Sequence, residues 1–559
     1  MDDFYAPTVV DSNTTVVAVN PLTARLTASD KVNGAQFGWS VATTRDLAVI
    51  GAPHDSTGTN SGSAYLYTRS LDGSNTWTQF KKLTPPDGRA SDDFGYSVAI
   101  SGDLVVIGAR FTDAGANDAG SAYIFSRNQG GTTNWGFAKK LLGTNVTASD
   151  QFGYTVAVEG DTVVVGAPLA DGPGADAGAA FVYAQNQGGS NVWGLVKKLA
   201  APDLAVADHF GQSVSISGTN VVVGSIFADP SALANAGATY VFGKDKNGAA
   251  QWGFTGKLLP SDPIAGDNFG NSVSLNGDNL VIGSPLADLP GLANAGAAYV
   301  FTKNPAVSNG WTQIKKLTSS EGAIEDRFGS AVALNQDKLV VGAPLSDLNG
   351  AECGGAYLFA QHTGGSNFWG QVDKLLPAAV GTLDNFGGSV AVSQNTIVIG
   401  AANGLDGAIR PGTAFMFRLK FGNAPQVTAA LVDQTVTPST PLAYTIPANS
   451  FTDPDVEDTL TLSLNASLSP PAWLNFNASS GAFTGTPNLV GDYPAGVIAT
   501  DFDGLSATNG FTIHVMAVPN LTSSLALRRQ MFGTNEFSVI TLNGVANTKI
   551  GRASCRERV

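Results

Sequence analysis

A Phe-Gly pair that recurs seven times constrains this chain more than anything else in it. It falls at Phe37, Phe94, Phe152, Phe210, Phe269, Phe328 and Phe386, with spacings of 57, 58, 58, 59, 59 and 58 residues. Seven copies at a nearly fixed period require a repeat architecture. The copy from Phe94 to Phe125 shows its parts: SVAISG and DLVVIGA are apolar, β-branched runs joined by a Gly-Asp turn, and GSAYIF follows a Gly-rich loop. A fourth run, as in WGFAKKLL, completes the unit. Four short strands in about 58 residues make a propeller blade with generous loops.

The order FG-x-SVA, G-D-x-VVIGAP, G-x-AYVF resembles the FG-GAP repeat, the unit of the alpha-integrin propeller and of many bacterial surface proteins. The resemblance covers residues 21–420. Residues 22–30 match the fourth strand of a blade but precede the first Phe-Gly, whereas the copy at Phe386 ends after its third strand, near Lys420. The N-terminal strand is therefore expected to complete the last blade and close the ring.

After Lys420 the period stops, and Asn423-Ala-Pro-Gln reads as a linker. Alternating strand runs and turn clusters then indicate a β-sandwich. Residues 451–460, 471–476, 481–487 and 499–504 resemble the dystroglycan-type, cadherin-like module of the immunoglobulin fold, over 424–516. The expected fold is all-β: a seven-bladed propeller followed by an Ig/cadherin-like sandwich. Residues 1–20 are an N-terminal segment, 517–549 a linker or the start of a further module, and 550–559 look like translated sequencing adapter.

A net charge of -14 argues against nucleic acid and for cations or basic partners. Cys353 and Cys555 offer no disulfide framework. No run of 18 apolar residues, and so no transmembrane helix, is visible, nor is a signal peptide. His54, His209, His362 and His514 fall at unrelated repeat positions, and no nucleophile or phosphate-loop motif occurs, so a non-catalytic protein is expected.

Function is expected in the loops. Asp55, Asp113, Asp171, Asp229, Asp288 and Asp347 recur near the start of the loop between strands 2 and 3, and Asp92, Asp150, Asp208, Asp267, Asp326 and Asp384 recur two residues before Phe-Gly; Asp113, Asp171, Asp229, Asp288 and Asp347 are the candidate ligand residues. Both loop sets emerge on one face of an up-and-down propeller. These carboxylates either close Asx turns or create a negative field for a ligand. The integrin resemblance implies ligand binding on that face. The strand 1–2 turns, such as Ser101-Gly-Asp103, are shorter than integrin calcium loops, which argues against calcium there. Lysine pairs on the fourth strands, such as Lys139-Lys140, read as edge protection, and the tryptophans opening those strands as blade-to-blade packing.

In the second module Asp453, Asp455 and Asp458 cluster, and Asp501 and Asp503 repeat the alternate spacing. Hard oxygens so arranged suit Ca²⁺, against the alternative of turn chemistry, and the module resemblance implies calcium at these segments. The expectation is a secreted or cell-surface bacterial protein that binds a protein or glycan ligand in adhesion, with calcium in the sandwich. The alternatives are a targeting portion of a larger secreted enzyme and a structural spacer.

Overall fold

The computed structural model describes residues 18–55, 61–70, 76–187, 189, 192–245, 251–348, 350–361, 369–376, 381–420, 424–453, 460–501, 505–517, 524–532 and 535–543. The chain forms two compact units, 1–422 and 423–559. Among the described residues no helix is long and apolar enough to cross a membrane.

The first unit holds seven four-stranded antiparallel sheets. Blade 2 is representative: Phe94–Ser101, Leu104–Ala109, Ser121–Ser126 and Gly136–Leu141, in sequential order. Blades 1 and 3 to 6 repeat it, their second strands running from Leu47, Thr162, Asn220, Asn279 and Lys338. Blade 7 takes three strands from Phe386–Ser393, Thr396–Ala401 and Thr413–Lys420. Its outer strand is Ala18–Leu26, antiparallel to Thr413–Lys420 with Leu26 opposite Ala414. The N-terminal strand thus closes the ring, as the leftover strand at each end of the repeat array requires.

The core is seven slabs of side chains, each between two neighbouring blades. Val106 and Ile124 of blade 2 pack with Val163, Phe181 and Trp193 of blade 3. Val398 and Met416 of blade 7 pack with Phe37, Ile50 and Tyr65 of blade 1, which seals the circle. Trp135, Trp193, Trp252, Trp311 and Trp369 each lie in such a slab, in keeping with the packing role expected of them.

The repeat signature marks where blades touch through backbone. Each repeat Phe donates its N–H to a carbonyl of the preceding blade's strand 2–3 loop, as Phe94 N to Ser61 O at 2.8 Å and, across the closure, Phe37 N to Pro411 O at 2.8 Å. The glycine of the strand-2 GA pair faces the next blade's Phe-Gly carbonyl so closely that a Cβ on Gly283 would lie 2.0 Å from Gly329 O. Even alanine there forces the blades apart.

In the second unit one sheet runs Gln434–Val436, Ser506–Val515, Gly491–Thr500, Thr461–Leu464, the first pair parallel. The other runs Leu442–Thr445, Ala482–Gly485, Leu474–Asn477. Phe483, Val497, Ile513 and Leu474 fill the core between them. Beyond the sandwich, Ser524–Phe532 pairs antiparallel with Asn535–Asn543.

Candidate ligand-binding face

One end of the ring gathers most of the chain's distinctive polar chemistry. Phe94 pairs with Ala109, so the start of a first strand and the end of a second strand lie at the same end. The strand 2–3 loops and the strand 4–1 loops therefore emerge together.

The two recurrent aspartate sets do different things there. Asp92, Asp150, Asp208, Asp267, Asp326 and Asp384 are 1–4% exposed. Each accepts the backbone N–H three residues earlier, as Arg89 N to Asp92 Oδ2 at 2.8 Å and Thr147 N to Asp150 Oδ2 at 2.6 Å. They hold the turn that feeds each Phe-Gly, and are scaffold. Burial pushes five of them, Asp92, Asp150, Asp208, Asp267 and Asp326, above the usual carboxylate range, Asp267 to about 6. Asp384 is met by the Arg410 guanidinium at 2.9 Å.

Asp113, Asp171, Asp229, Asp288 and Asp347 are exposed. Their Oδ1 atoms accept the N–H of Asp118, Asp176, Asn235, Asn294 and Glu352 at 3.2, 3.2, 2.7, 2.9 and 2.7 Å. One oxygen thus closes the loop and fixes the carboxylate in space, while the group as a whole remains at the surface. The five run over consecutive blades, 2 to 6. The arc stops at blade 7, where the matching position is Leu405; in blade 1 Asp55 takes the place of Thr112 rather than of Asp113 and is buried against the Tyr65 hydroxyl at 2.6 Å and Lys82 Nζ at 2.7 Å.

The fourth-strand lysines differ from the edge-protection reading. Where the preceding blade's exit carries an acid, the lysine opposite the strand-3 tyrosine reaches back to it: Lys140 to Asp87 at 2.7 Å, Lys257 to Asp203 at 2.7 Å, Lys316 to Asp262 at 2.6 Å, Lys374 to Glu321 at 2.8 Å. Lys82 does the same to Asp30 at 2.6 Å, which staples the closing strand's exit to blade 1. Lys140 Nζ also lies 5.0 Å from the Tyr123 ring centre, and the Tyr123 hydroxyl donates to Asp87 at 2.9 Å. A bulge between strands 3 and 4 sets lysine opposite tyrosine, as Lys140 opposite Tyr123. Where the acid is replaced by Asn145, the facing tyrosine is replaced by Phe181.

Sequence reasoning did not single out the residue after each Phe-Gly. First strands of adjacent blades neighbour one another around the whole ring, so these residues surround the axis. They are Trp39, Tyr96 and Tyr154 in blades 1 to 3, then Gln212, Asn271, Ser330 and Gly388. Trp39 and Tyr96 have ring centres 5.4 Å apart, Tyr96 and Tyr154 5.1 Å. The Arg110 guanidinium covers Tyr96 at 3.8 Å and bonds Asp93 at 3.0 Å. The signal available was a fixed repeat position whose chemistry changes around the ring.

The histidines are engaged in local contacts. His54 Nε2 lies 3.7 Å from Asp93, His209 stacks edge-on against Phe227 at 4.7 Å, and His514 Nδ1 meets Asp492 at 2.7 Å, which raises its pKa. His362 lies outside the described residues.

A family model described as FG-GAP repeat matches residues 22–67, 77–125, 135–183, 193–242, 252–301, 311–359 and 369–417, more than half of the chain. The chain belongs to the FG-GAP repeat family. A second model, described as "Putative Ig domain", matches residues 424–516 of this FG-GAP protein. No curated protein matches it. Among solved structures it is similar to the periplasmic gluconolactonase PpgL of Pseudomonas aeruginosa, at 14% identity over 60% of this chain and 85% of that one, TM-score 0.36. It is also similar to Sqt1 of Chaetomium thermophilum, at 12% identity over 69% and 88%, TM-score 0.38.

Of the five aspartates expected to hold calcium in the Ig-like module, Asp455, Asp458 and Asp503 lie outside the described residues. Asp501 is buried and closes its own turn: Oδ1 accepts Leu505 N at 2.8 Å, and its N–H bonds Leu505 O at 2.9 Å. Asp453 follows the short strand Phe451–Thr452 and is half-buried. The Oδ2 atoms of both are buried from solvent. Among the described residues no three acidic, histidine or cysteine side chains converge. Hard carboxylate oxygens of this kind fit calcium in donor chemistry.

Proposed function

We propose that this FG-GAP protein is a non-catalytic binding protein of the bacterial cell surface or exterior, acting in adhesion. Its ligand, a protein or glycan, docks on the propeller end that carries the strand 2–3 and 4–1 loops. The observation that carries this reading is the arc of Asp113, Asp171, Asp229, Asp288 and Asp347, exposed charges over five consecutive blades, each fixed by a bond to its own loop. Pre-organised charge costs little ordering entropy on binding and steers a basic partner. In the Ig-like module Asp453 and Asp501, with Asp455, Asp458 and Asp503, would hold calcium, whose charge offsets the repulsion of gathered carboxylates.

Changing the five arc aspartates to Asn tests the face. Asparagine keeps the oxygen that closes each loop and removes the charge. A lysine-rich peptide should associate with the parent protein in a salt-dependent manner, and more slowly and with less salt dependence with the variant. Equal association rates would overturn the reading. For calcium, thermal unfolding of the whole protein should show the Ig-like transition stabilised by about 2.7 kcal/mol at a hundredfold excess over Kd, with magnesium doing much less. Identical transitions in calcium, magnesium and chelator would remove the metal.

A further inference from the structure

The residue after Phe-Gly breaks the symmetry of the ring in a way that the scaffold does not need. Four blades manage with Gln212, Asn271, Ser330 or Gly388, so Trp39, Tyr96 and Tyr154 are not required to hold blades together. They nevertheless form a continuous run of three tilted rings, interplanar angles 42° and 53°, along one half of the axial rim. Trp39 is 37% exposed, whereas Trp135, Trp252 and Trp369 are each 2% exposed within their slabs. A large aromatic ring left open beside the ring axis and edged by polar groups is how binding surfaces are built.

The polar groups at this rim narrow the ligand chemistry. Arg110 and Asp93 pair with each other at 3.0 Å, so the pair contributes no net charge. A cationic ligand finds the face of Tyr96 already covered by the Arg110 guanidinium at 3.8 Å. An anionic ligand finds that guanidinium already neutralised by the buried Asp93, within the field of a chain of net charge -14. A wholly apolar ligand would strip water from Arg110 and Gln212 without replacing its hydrogen bonds. Gln212 donates to the Tyr154 hydroxyl at 2.9 Å, which ends the aromatic half on an amide. Asn271, Ser330 and Gly388 then leave the other half small and polar. An occupant that presents an apolar C–H face to the rings and hydroxyls to amides and guanidinium satisfies all of these groups.

We propose that the Trp39–Tyr96–Tyr154 half-rim is a subsite for a neutral oligosaccharide, with one pyranose ring stacked on Trp39 and hydroxyls along the chain of sugars bonded to Arg110 and Gln212. The proposal rests on the ligand-face reading above and assigns that face its glycan option, at the axis rather than on the outer arc.

The test uses the full chain and neutral hexasaccharides of the gluco-, manno-, xylo- and N-acetylglucosamine series, followed by calorimetry and by acrylamide quenching of tryptophan. At least one series should bind with little salt dependence and shield Trp39 from acrylamide. Trp39→Ala should weaken that binding by about tenfold or more, and Trp39→Phe should keep most of it. The quenching measurement on the parent protein decides the matter even if Trp39→Ala fails to fold. No binding by any series at millimolar concentration, no shielding, or unchanged affinity in a folded Trp39→Ala would overturn the proposal. Peptide association that depends on the arc aspartates, seen without saccharide binding, would sink this inference and leave the ligand-face reading standing. Saccharide binding lost in Trp39→Ala with no effect of the arc variant would instead remove the arc and keep the subsite.

Discussion

The blade-to-blade staple makes a quantitative prediction, because the chain contains its own control. At the joint between blades 1 and 2, Asp87 accepts from the Tyr123 hydroxyl at 2.9 Å and from Lys140 at 2.7 Å. At the next joint the acid is Asn145 and the ring is Phe181. Lys140 is mostly screened from solvent and Asp87 is half-exposed, so the ion pair alone contributes about 0–1 kcal/mol. The Tyr123 hydroxyl bonds an ionised acceptor, which contributes about 1.5–3 kcal/mol. Tyr123→Phe should therefore cost about 1.5–2 kcal/mol in the parent protein. In an Asp87→Ala background the hydroxyl has lost its acceptor, and the same change should cost at least about 1 kcal/mol less. The reciprocal substitution Phe181→Tyr puts a hydroxyl where no carboxylate waits and should destabilise by about 1 kcal/mol. Urea unfolding followed by tryptophan fluorescence reads the propeller, since all tryptophans but Trp473 lie in it. Additive effects of Tyr123→Phe and Asp87→Ala, within about 0.3 kcal/mol, would refute the coupling.

Asp267, pushed up to about 6 by burial, binds its proton more tightly folded than unfolded, so the stability it contributes is present below its unfolded pKa of 3.8 and is lost as pH rises through 6. Asp267→Asn, which keeps the acceptor for Ile264 N, should raise stability at pH 7 by about 1–2 kcal/mol and flatten its pH dependence between 4 and 6; an unchanged slope counts against it. Gly283→Ala, whose Cβ would meet Gly329 O at 2.0 Å, should cost about 3 kcal/mol or more, whereas Gly277→Ala, at φ +57° in an open turn, should cost about 1–2 kcal/mol; equal Tm losses would show that backbone approach between blades is not what the repeat glycine protects.

The propeller was legible because repetition multiplies weak signals. A single SVAISG-GD-LVVIGA could be many kinds of hairpin, but seven in register leave one architecture, and the unmatched strand near Leu26 together with the missing fourth strand after Lys420 pointed to the closure. The Ig-like module was legible from its motif order. The site was harder to read. The two aspartate sets look alike as letters, and only burial separates Asp150, which holds a turn, from Asp171, which lies at the surface. Lys140 and Asp87 are 53 residues apart and meet only through the blade-to-blade packing. The exchange of Asp87 and Tyr123 for Asn145 and Phe181 was readable by aligning the repeats, as was the change from Trp39 to Gly388. Both lie at positions where the repeats disagree, and a search for shared residues passes over those.

The closing strand also sets the order of folding. Leu26 finds Ala414 across nearly the whole propeller, whereas Leu83 finds Ala64 within its own blade. Joining ends about twenty times farther apart along the chain costs about 2.7 kcal/mol more in loop-closure entropy, so the last blade completes after the others. During synthesis the first of the propeller's strands to be made is the last one used. Until Thr413–Lys420 has been translated, Ala18–Leu26 is a strand with open edges on both sides, and the growing chain carries its own incomplete sheet from beginning to end.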